Sequence, residues 1–158
     1  MPHTKALQRL LHHYRSMPPV ATMDLSIAGY DGRRLQLHAP LARHVNDKGC
    51  AFGGSLASMM TLASWGLVSL QVEAAGVAAD VYVADSQVRY LAPLFDDIQV
   101  SAELGPDSDW VEFIQTLRQR GRARANLVAH VPLAAGGIAT RFTARYVATA
   151  RPDVPLPG

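Results

Sequence analysis

The run Asn46-Asp47-Lys48-Gly49-Cys50-Ala51-Phe52-Gly53-Gly54-Ser55 is where this sequence concentrates its chemistry. A polar loop enters a glycine pair, and the pair opens a long uncharged segment. The first N–H groups of a helix have no partner inside it and lie at the positive end of its dipole. Glycine lets a ligand approach that backbone closely. Amides so exposed polarise a carbonyl and hold the oxyanion formed when it is attacked. A tight loop-to-helix turn with no ligand would use the same residues, and Gly-Gly by itself does not separate the two.

Other reactive side chains give weaker signals. Cys50 is the one cysteine, which excludes an internal disulfide framework and a cysteine-based zinc cage. No His stands at an evident partner spacing to it, so it reads as a packing residue in a reducing compartment. The six His (His3, His12, His13, His38, His44 and His130) form no metal-ligand pattern, and no metal is expected. His44, two positions before Asn46, reads as a surface-loop residue within reach of the site. Arg118-Gln119-Arg120-Gly121-Arg122-Ala123 matches the loose R-x-x-G-x-A signature of acetyltransferase CoA loops. The polarity is wrong, because here a helix precedes a strand, whereas the CoA loop leads from a strand into a helix that binds pyrophosphate. These arginines are either a solvated basic face or a rim for CoA phosphates.

The elements that must position the loop follow from composition and period. At 158 residues, with 49% hydrophobic and 18% charged, the chain suits one domain with a sizeable core, expected over 1–158. A net charge of +2 lacks the clustered excess of a nucleic-acid binder. Leu7, Leu10, Leu11 and Tyr14 predict an N-terminal helix within residues 1–19, ended by Pro18-Pro19. Met23, Leu25 and Ile27 alternate with polar residues, as do Leu35, Leu37 and Ala39, predicting a hairpin that turns at Tyr30-Asp31-Gly32. The uncharged helix runs from Gly53-Gly54 to about Glu73. A strand follows over Asp80–Leu91, with Tyr82, Ala84, Ser86, Val88 and Tyr90 on one face. Ile98, Val100, Ala102 and Leu104 predict the next strand. A helix over Trp110–Leu117, capped by Asp109 with Glu112, ends at Gly121. Two strands close the chain around Ala134–Gly137, and the Pro-rich tail over 150–158 is expected to be loose.

Six strands each have one apolar face, and one helix has almost no polar face. An alternating strand needs cover on one side only, and an all-apolar helix needs surrounding. Both are satisfied if the antiparallel sheet curls around the helix, an α+β layer. A membrane span over the uncharged segment is disfavoured by its Ser, Thr, Gln, Gly and Ala content. The N-terminus has no signal-peptide pattern, so a cytoplasmic protein is expected.

The segments GCAFGGSLASMMTLASWGL and VADSQVRYLAP resemble the YiiD C-terminal domain family of hotdog-fold thioesterase domains, and the resemblance runs from the first helix to the last strand. It implies a hotdog fold, a homodimer or dimer of dimers built by continuing the sheet, and an acyl-thioester pocket at the dimer interface. The substrate it implies is acyl-CoA or acyl-carrier protein, with CoA as part of the substrate and no separate cofactor. Relatives in that family are often fused behind an acetyltransferase, which this chain is too short to encode as well. Better-studied hotdog thioesterases of the phenylacetate-pathway type carry Asn, then His-Gly-Gly, then an acid on the central helix. By that resemblance Asn46 keeps their Asn, Phe52 replaces their His and Thr61 replaces their acid.

The expected roles follow. Gly54 N–H takes the oxyanion, Asn46 and Thr61 orient a water, and Phe52, Gly53, Ser55, Ser86 and Tyr90 line the substrate slot. A threonine hydroxyl has no accessible ionisation and is no unassisted base. Asp47 is a candidate base or a turn residue. Asp85 is a second, or a solvated sheet residue opposite Tyr82, Ser86 and Tyr90 unless a bulge turns it. Ser64, near Thr61 on the helix, lines the pocket or simply packs. Alternatives to hydrolysis are a non-catalytic acyl- or CoA-binding module, an accessory domain related to the acetyltransferase-fused proteins, or a dehydratase. The last needs a His with a carboxylate, and Phe52 speaks against it.

Overall fold

The computed structural model describes residues 2–152. Most of the tail expected to be loose, from residue 153 onward, lies outside the described residues. In chain order the elements are α1 (Thr4–Ser16), α2 (Pro18–Ala21), β1 (Ser26–Tyr30), β2 (Arg34–Ala39), a 3-10 turn (Leu41–Arg43) and α3 (Gly53–Ala74). β3 (Ala79–Tyr90), β4 (Ile98–Leu104), α4 (Trp110–Arg120), β5 (Arg122–Pro132) and β6 (Ile138–Ala150) follow. The strands form one antiparallel sheet in the order β1-β2-β4-β5-β6-β3. Strands β2 to β6 all pack on α3, the α+β hotdog arrangement.

The α3 helix buries Leu56, Met59, Met60, Ala63, Leu67 and Val68 against the sheet. It passes the length and composition test for a membrane span, but its burial marks it as the core helix. The facing strand surface is rich in small residues, with Ala102, Ala123, Ala125, Ala129, Ala144 and Ala148 all buried. Small residues on the strands make room for the bulky helix.

Two regions differ from the sequence expectation. Pro18-Pro19 does not merely end α1. It starts the short helix α2, because proline suits the first helical positions. That shifts the first strand to Ser26–Tyr30, after Asp24 adopts a φ of +52°. Further on, β3 carries a bulge between Val83 and Asp85. Before it Val81 and Val83 pair with Ala148 and Tyr146, whereas after it Ser86 and Val88 pair with Ala144 and Phe142. The extra residue flips the parity, so Tyr82 does not share a face with Ser86, Val88 and Tyr90. It shares the outer face with Asp85 instead.

α1 docks on α3 through Tyr14, which is fully buried. Its hydroxyl donates to Leu62 O at 2.6 Å. The ring reaches that carbonyl because Gly66 has no side chain: a Cβ there would lie 2.1 Å from the Tyr14 hydroxyl and 3.0 Å from Leu35 Cδ2. Burial, and then the Tyr146 hydroxyl, push the Tyr14 pKa well above the usual tyrosine value, so it remains a neutral donor.

Gly66→Ala should therefore destabilise by about 2 kcal/mol, despite alanine's better helix propensity. Tyr14→Phe alone should cost about 1 kcal/mol for the lost hydroxyl bond. The double variant should be less destabilised than the sum, with a coupling of about 1 kcal/mol in urea unfolding. Simple additivity would refute the contact.

Candidate active site at the start of the central helix

The loop before α3 is held by main chain on several sides. Asn46 N donates to Cys50 O at 2.8 Å, and Val45 forms a bridge with Ala51. Ala51 N donates to Leu94 O at 2.8 Å and Phe52 N to His44 O at 2.7 Å. Phe52 is the N-cap of α3, without a side-chain cap bond, and its carbonyl accepts from Ser55 N and Leu56 N. Among the described residues the Gly53 and Gly54 N–H groups donate no hydrogen bond, and Gly54 is exposed. These are the two orphan donors that the sequence placed at this helix start.

Both glycines let an aromatic ring come close to the backbone. A Cβ on Gly54 would meet the Phe52 ring at 3.1 Å, and one on Gly53 would meet the Tyr90 ring at 3.3 Å. Tyr90 also donates its hydroxyl to Gly53 O at 2.9 Å. Phe52 and Tyr90 remain 47% and 56% exposed. Val45, Leu91 and Phe95 are also exposed, on the segments that the Val45–Ala51 bridge and the Ala51–Leu94 bond hold together. The free amides thus open among large apolar groups left uncovered in a single chain.

The polar candidates divide sharply. Asn46 Oδ1 accepts from Lys48 N at 2.8 Å and Cys50 N at 3.2 Å, and Nδ2 donates to Cys50 Sγ at 3.3 Å. Its amide is occupied in its own loop. Thr61 Oγ1 donates to Ala57 O at 2.8 Å, while Thr61 O accepts from the buried Tyr146 hydroxyl at 2.7 Å. Asp47 is exposed and pairs with Lys48 Nζ at 3.1 Å. Asp85 lies on the outer face of β3 in an ion pair with Arg145. Ser86 faces the helix side but is exposed on the edge strand. Ser64 is fully buried and its Oγ has no well-formed hydrogen bond, although the nearby Tyr146 hydroxyl feels it.

His44 is the residue that the sequence reading misplaced. It is not a surface-loop histidine: it is 5% exposed. Its Nε2 lies 2.7 Å from Met23 O and its Nδ1 2.8 Å from Ser55 Oγ. Its eleven-residue offset from Ser55 has no regular period, so no sequence pattern announces the contact.

Arg118 is also engaged, donating Nη2 to Ala75 O at 2.6 Å and so capping the C-terminus of α3. Gly121 ends α4 at a φ of 72° and β5 begins directly after it, the helix-before-strand polarity expected.

A second feature lies at the other end of α3. A cavity of about 620 Å³ opens between α1, the C-terminal half of α3 and the start of β3. His13, Trp65, Leu70, Val77, Val81 and Tyr82 line it. Trp65 is fixed there by Nε1 donating to Val81 O at 2.9 Å and by the His13 ring stacked at 5.1 Å.

Solved structures share this architecture. A Chlorobaculum tepidum protein of unknown function is 27% identical, with a TM-score of 0.89 over 94% of this chain and 96% of its own. A Shewanella oneidensis protein described as a "putative thioesterase" is 30% identical, with a TM-score of 0.82 over 92% of this chain and 99% of its own. A Pseudomonas aeruginosa protein described as a "probable thioesterase" is 19% identical, with a TM-score of 0.78 over 91% and 95%, and shows the fold alone. A family model described as "Putative thioesterase (yiiD_Cterm)" matches residues 4–150. The chain belongs to that YiiD C-terminal thioesterase family, and its hotdog fold is the family's fold.

Proposed function

We propose that this protein hydrolyses acyl thioesters, either acyl-CoA or acyl-carrier protein, as a homodimer or a dimer of dimers in the cytoplasm. The observation that carries this reading is the pair of unbonded Gly53 and Gly54 amides at an exposed helix start, with the Tyr90 ring beside Gly53 and the Phe52 ring beside Gly54. A thioester carbonyl seated on Gly54 N–H is polarised where charge develops, and the rings take the acyl chain.

The dimer reading rests on β3. It is an edge strand of 12 residues with Tyr82 and Val83 exposed, a long row of backbone groups open to pairing. Antiparallel pairing of β3 with its copy brings the Ala79 end of one strand beside the Tyr90 end of the other. The cavity beside Trp65 would then face the partner's free amides. Both features occur twice, as an isologous interface requires.

Asn46 and Thr61 were expected to orient the attacking water. With its amide bonded to Lys48 N and Cys50 N, Asn46 acts as a positioning residue that shapes the loop. The Thr61 hydroxyl is committed to Ala57 O, which favours a second reading, a non-catalytic acyl-binding module.

Purified protein should release free thiol from at least one member of an acyl-CoA panel spanning short, long and aryl chains. Ligand binding without release on acyl-CoA and acyl-carrier protein would select the binding module. Val83→Lys places like charges near each other across the proposed strand pair. It should convert a dimer at micromolar concentration into a folded monomer, seen by light scattering, and lower thiol release at least about tenfold. An active monomer would overturn the shared site. Asn46→Ala should slow release about 5- to 30-fold, matching 1–2 kcal/mol of lost loop bonding, and speed exchange of the Lys48 and Cys50 amides. Asn46→Asp keeps the accepting oxygen and should restore most of both. Equal loss in the two variants would mean that the side-chain amide touches the reacting atoms.

A further inference from the structure

His44 and Ser55 form a hydrogen-bonded pair that the expected mechanism leaves unused. Met23 O can only accept, so the proton of the neutral imidazole sits on Nε2. Nδ1 then presents a lone pair, and the Ser55 hydroxyl donates to it at 2.8 Å. A hydroxyl pointing at a base, with the base's other nitrogen fixed by a third group, is the polarity of an activated nucleophile. The main chain fixes the same spacing a second time, through Phe52 N on His44 O and Ser55 N on Phe52 O.

Access and direction agree with that polarity. His44 is buried, whereas Ser55 keeps part of its surface exposed. Ser55 is the third residue of α3. Side chains on a helix lean toward its N-terminus, so the Ser55 hydroxyl is carried toward the end where the Gly53 and Gly54 amides point. Nucleophile and oxyanion donors therefore come from one helical turn.

Resting on the hydrolase reading, we propose that Ser55 is the catalytic nucleophile and His44 its general base. Ser55 Oγ attacks the acyl carbon as its proton passes to His44 Nδ1, and the carbonyl electrons move to an oxygen held by Gly54 N–H. Collapse breaks the C–S bond, and the departing thiolate takes the proton from Nδ1 and leaves as free thiol. Water then attacks the Ser55 ester, giving a proton to Nδ1. Expulsion of Ser55 Oγ, reprotonated from Nδ1, releases the carboxylic acid. Thioester and water have become acid and thiol. The Met23 carbonyl orients the ring and accepts from the imidazolium throughout, the task that an aspartate performs in a triad.

The test uses the full chain and two readouts, thiol release from the acyl-CoA panel and covalent labelling by a fluorophosphonate probe mapped by peptide mass. Wild type should carry the probe on Ser55. Ser55→Ala should lose the label and at least about 100-fold in thiol release while remaining folded, the unpartnered His44 Nδ1 lowering the melting temperature by only several degrees. His44→Gln should label at least about tenfold more slowly, and Ser55→Ala keeps the test independent of whether that buried substitution folds. Thiol release retained within about threefold in Ser55→Ala, or turnover by wild type with no label on Ser55, would overturn the pair and leave the hydrolase reading standing. No thiol release, but His44-dependent labelling of Ser55, would support the nucleophile and remove the thioester assignment. Neither label nor release would overturn both.

Discussion

Helix α3 has a single formal charge, Glu73, in 22 residues, and it can exist in water only if something surrounds it. That constraint sets the rest of the molecule. Five of the six strands lie against it, and α1 covers a further side through Tyr14. Even Glu73 is neutralised, by Arg9 of α1. Among the described residues, a flank left incompletely covered runs from the cavity beside Trp65, along β3, to the exposed rings at Phe52 and Tyr90. The unbonded Gly53 and Gly54 amides lie beside the rings at one end of that flank.

Surrounding a helix with polar-backbone strands would fail if the layers were held apart. Alanines on β4, β5 and β6 and glycine at position 66 let backbone and ring come close. Two tyrosines then fill the remaining volume, each spending its hydroxyl on a helix carbonyl: Tyr14 on Leu62 O and Tyr146 on Thr61 O. Burial raises the pKa of both, which keeps them protonated and able to donate. A buried hydroxyl with a partner costs little, and one without costs about 1–3 kcal/mol, so these bonds select the position of α3 along the sheet. The helix start is placed by the same contacts that place its middle.

Sequence periodicity carried most of this. The 2-residue alternation of β5 and β6 and the all-apolar α3 specify a wrapped helix, and the Gly53-Gly54 pair marks its start. Three things escaped it. The bulge at Val83–Asp85 adds one residue with no turn-forming type to announce it, so simple parity put Tyr82 on the wrong face. Pro18-Pro19 read as a stop because proline ends helices, yet proline also begins them, and only the following turn decides. The burial of His44 depends on contacts to Met23, 21 residues before it, and Ser55, 11 after it. Contacts at those separations follow no period. Resemblance pointed to Asn46 by position in a motif, while its bonds inside the loop were visible only once the chain was folded.

The start of α3 also breaks the rules that make helices stable. Its N-cap is Phe52, which offers no side-chain acceptor, and its first turn holds no acidic residue. An ordinary cap would add about 1 kcal/mol, and a carboxylate in the first turn about 0.3–1 kcal/mol more. Either would fill the donors at Gly53 and Gly54 or cancel the positive potential in front of them. A carboxylate beside a reacting carbonyl would also oppose the negative charge that forms on its oxygen. The proposed Ser55–His44 pair avoids that conflict, since the charge that would develop on attack is positive on His44 and negative on the oxygen facing the amides. Local instability of this kind persists in a fold where the exposed groups have work to do, and here Ser55, bonded to His44, stands in the first turn of the same uncapped helix.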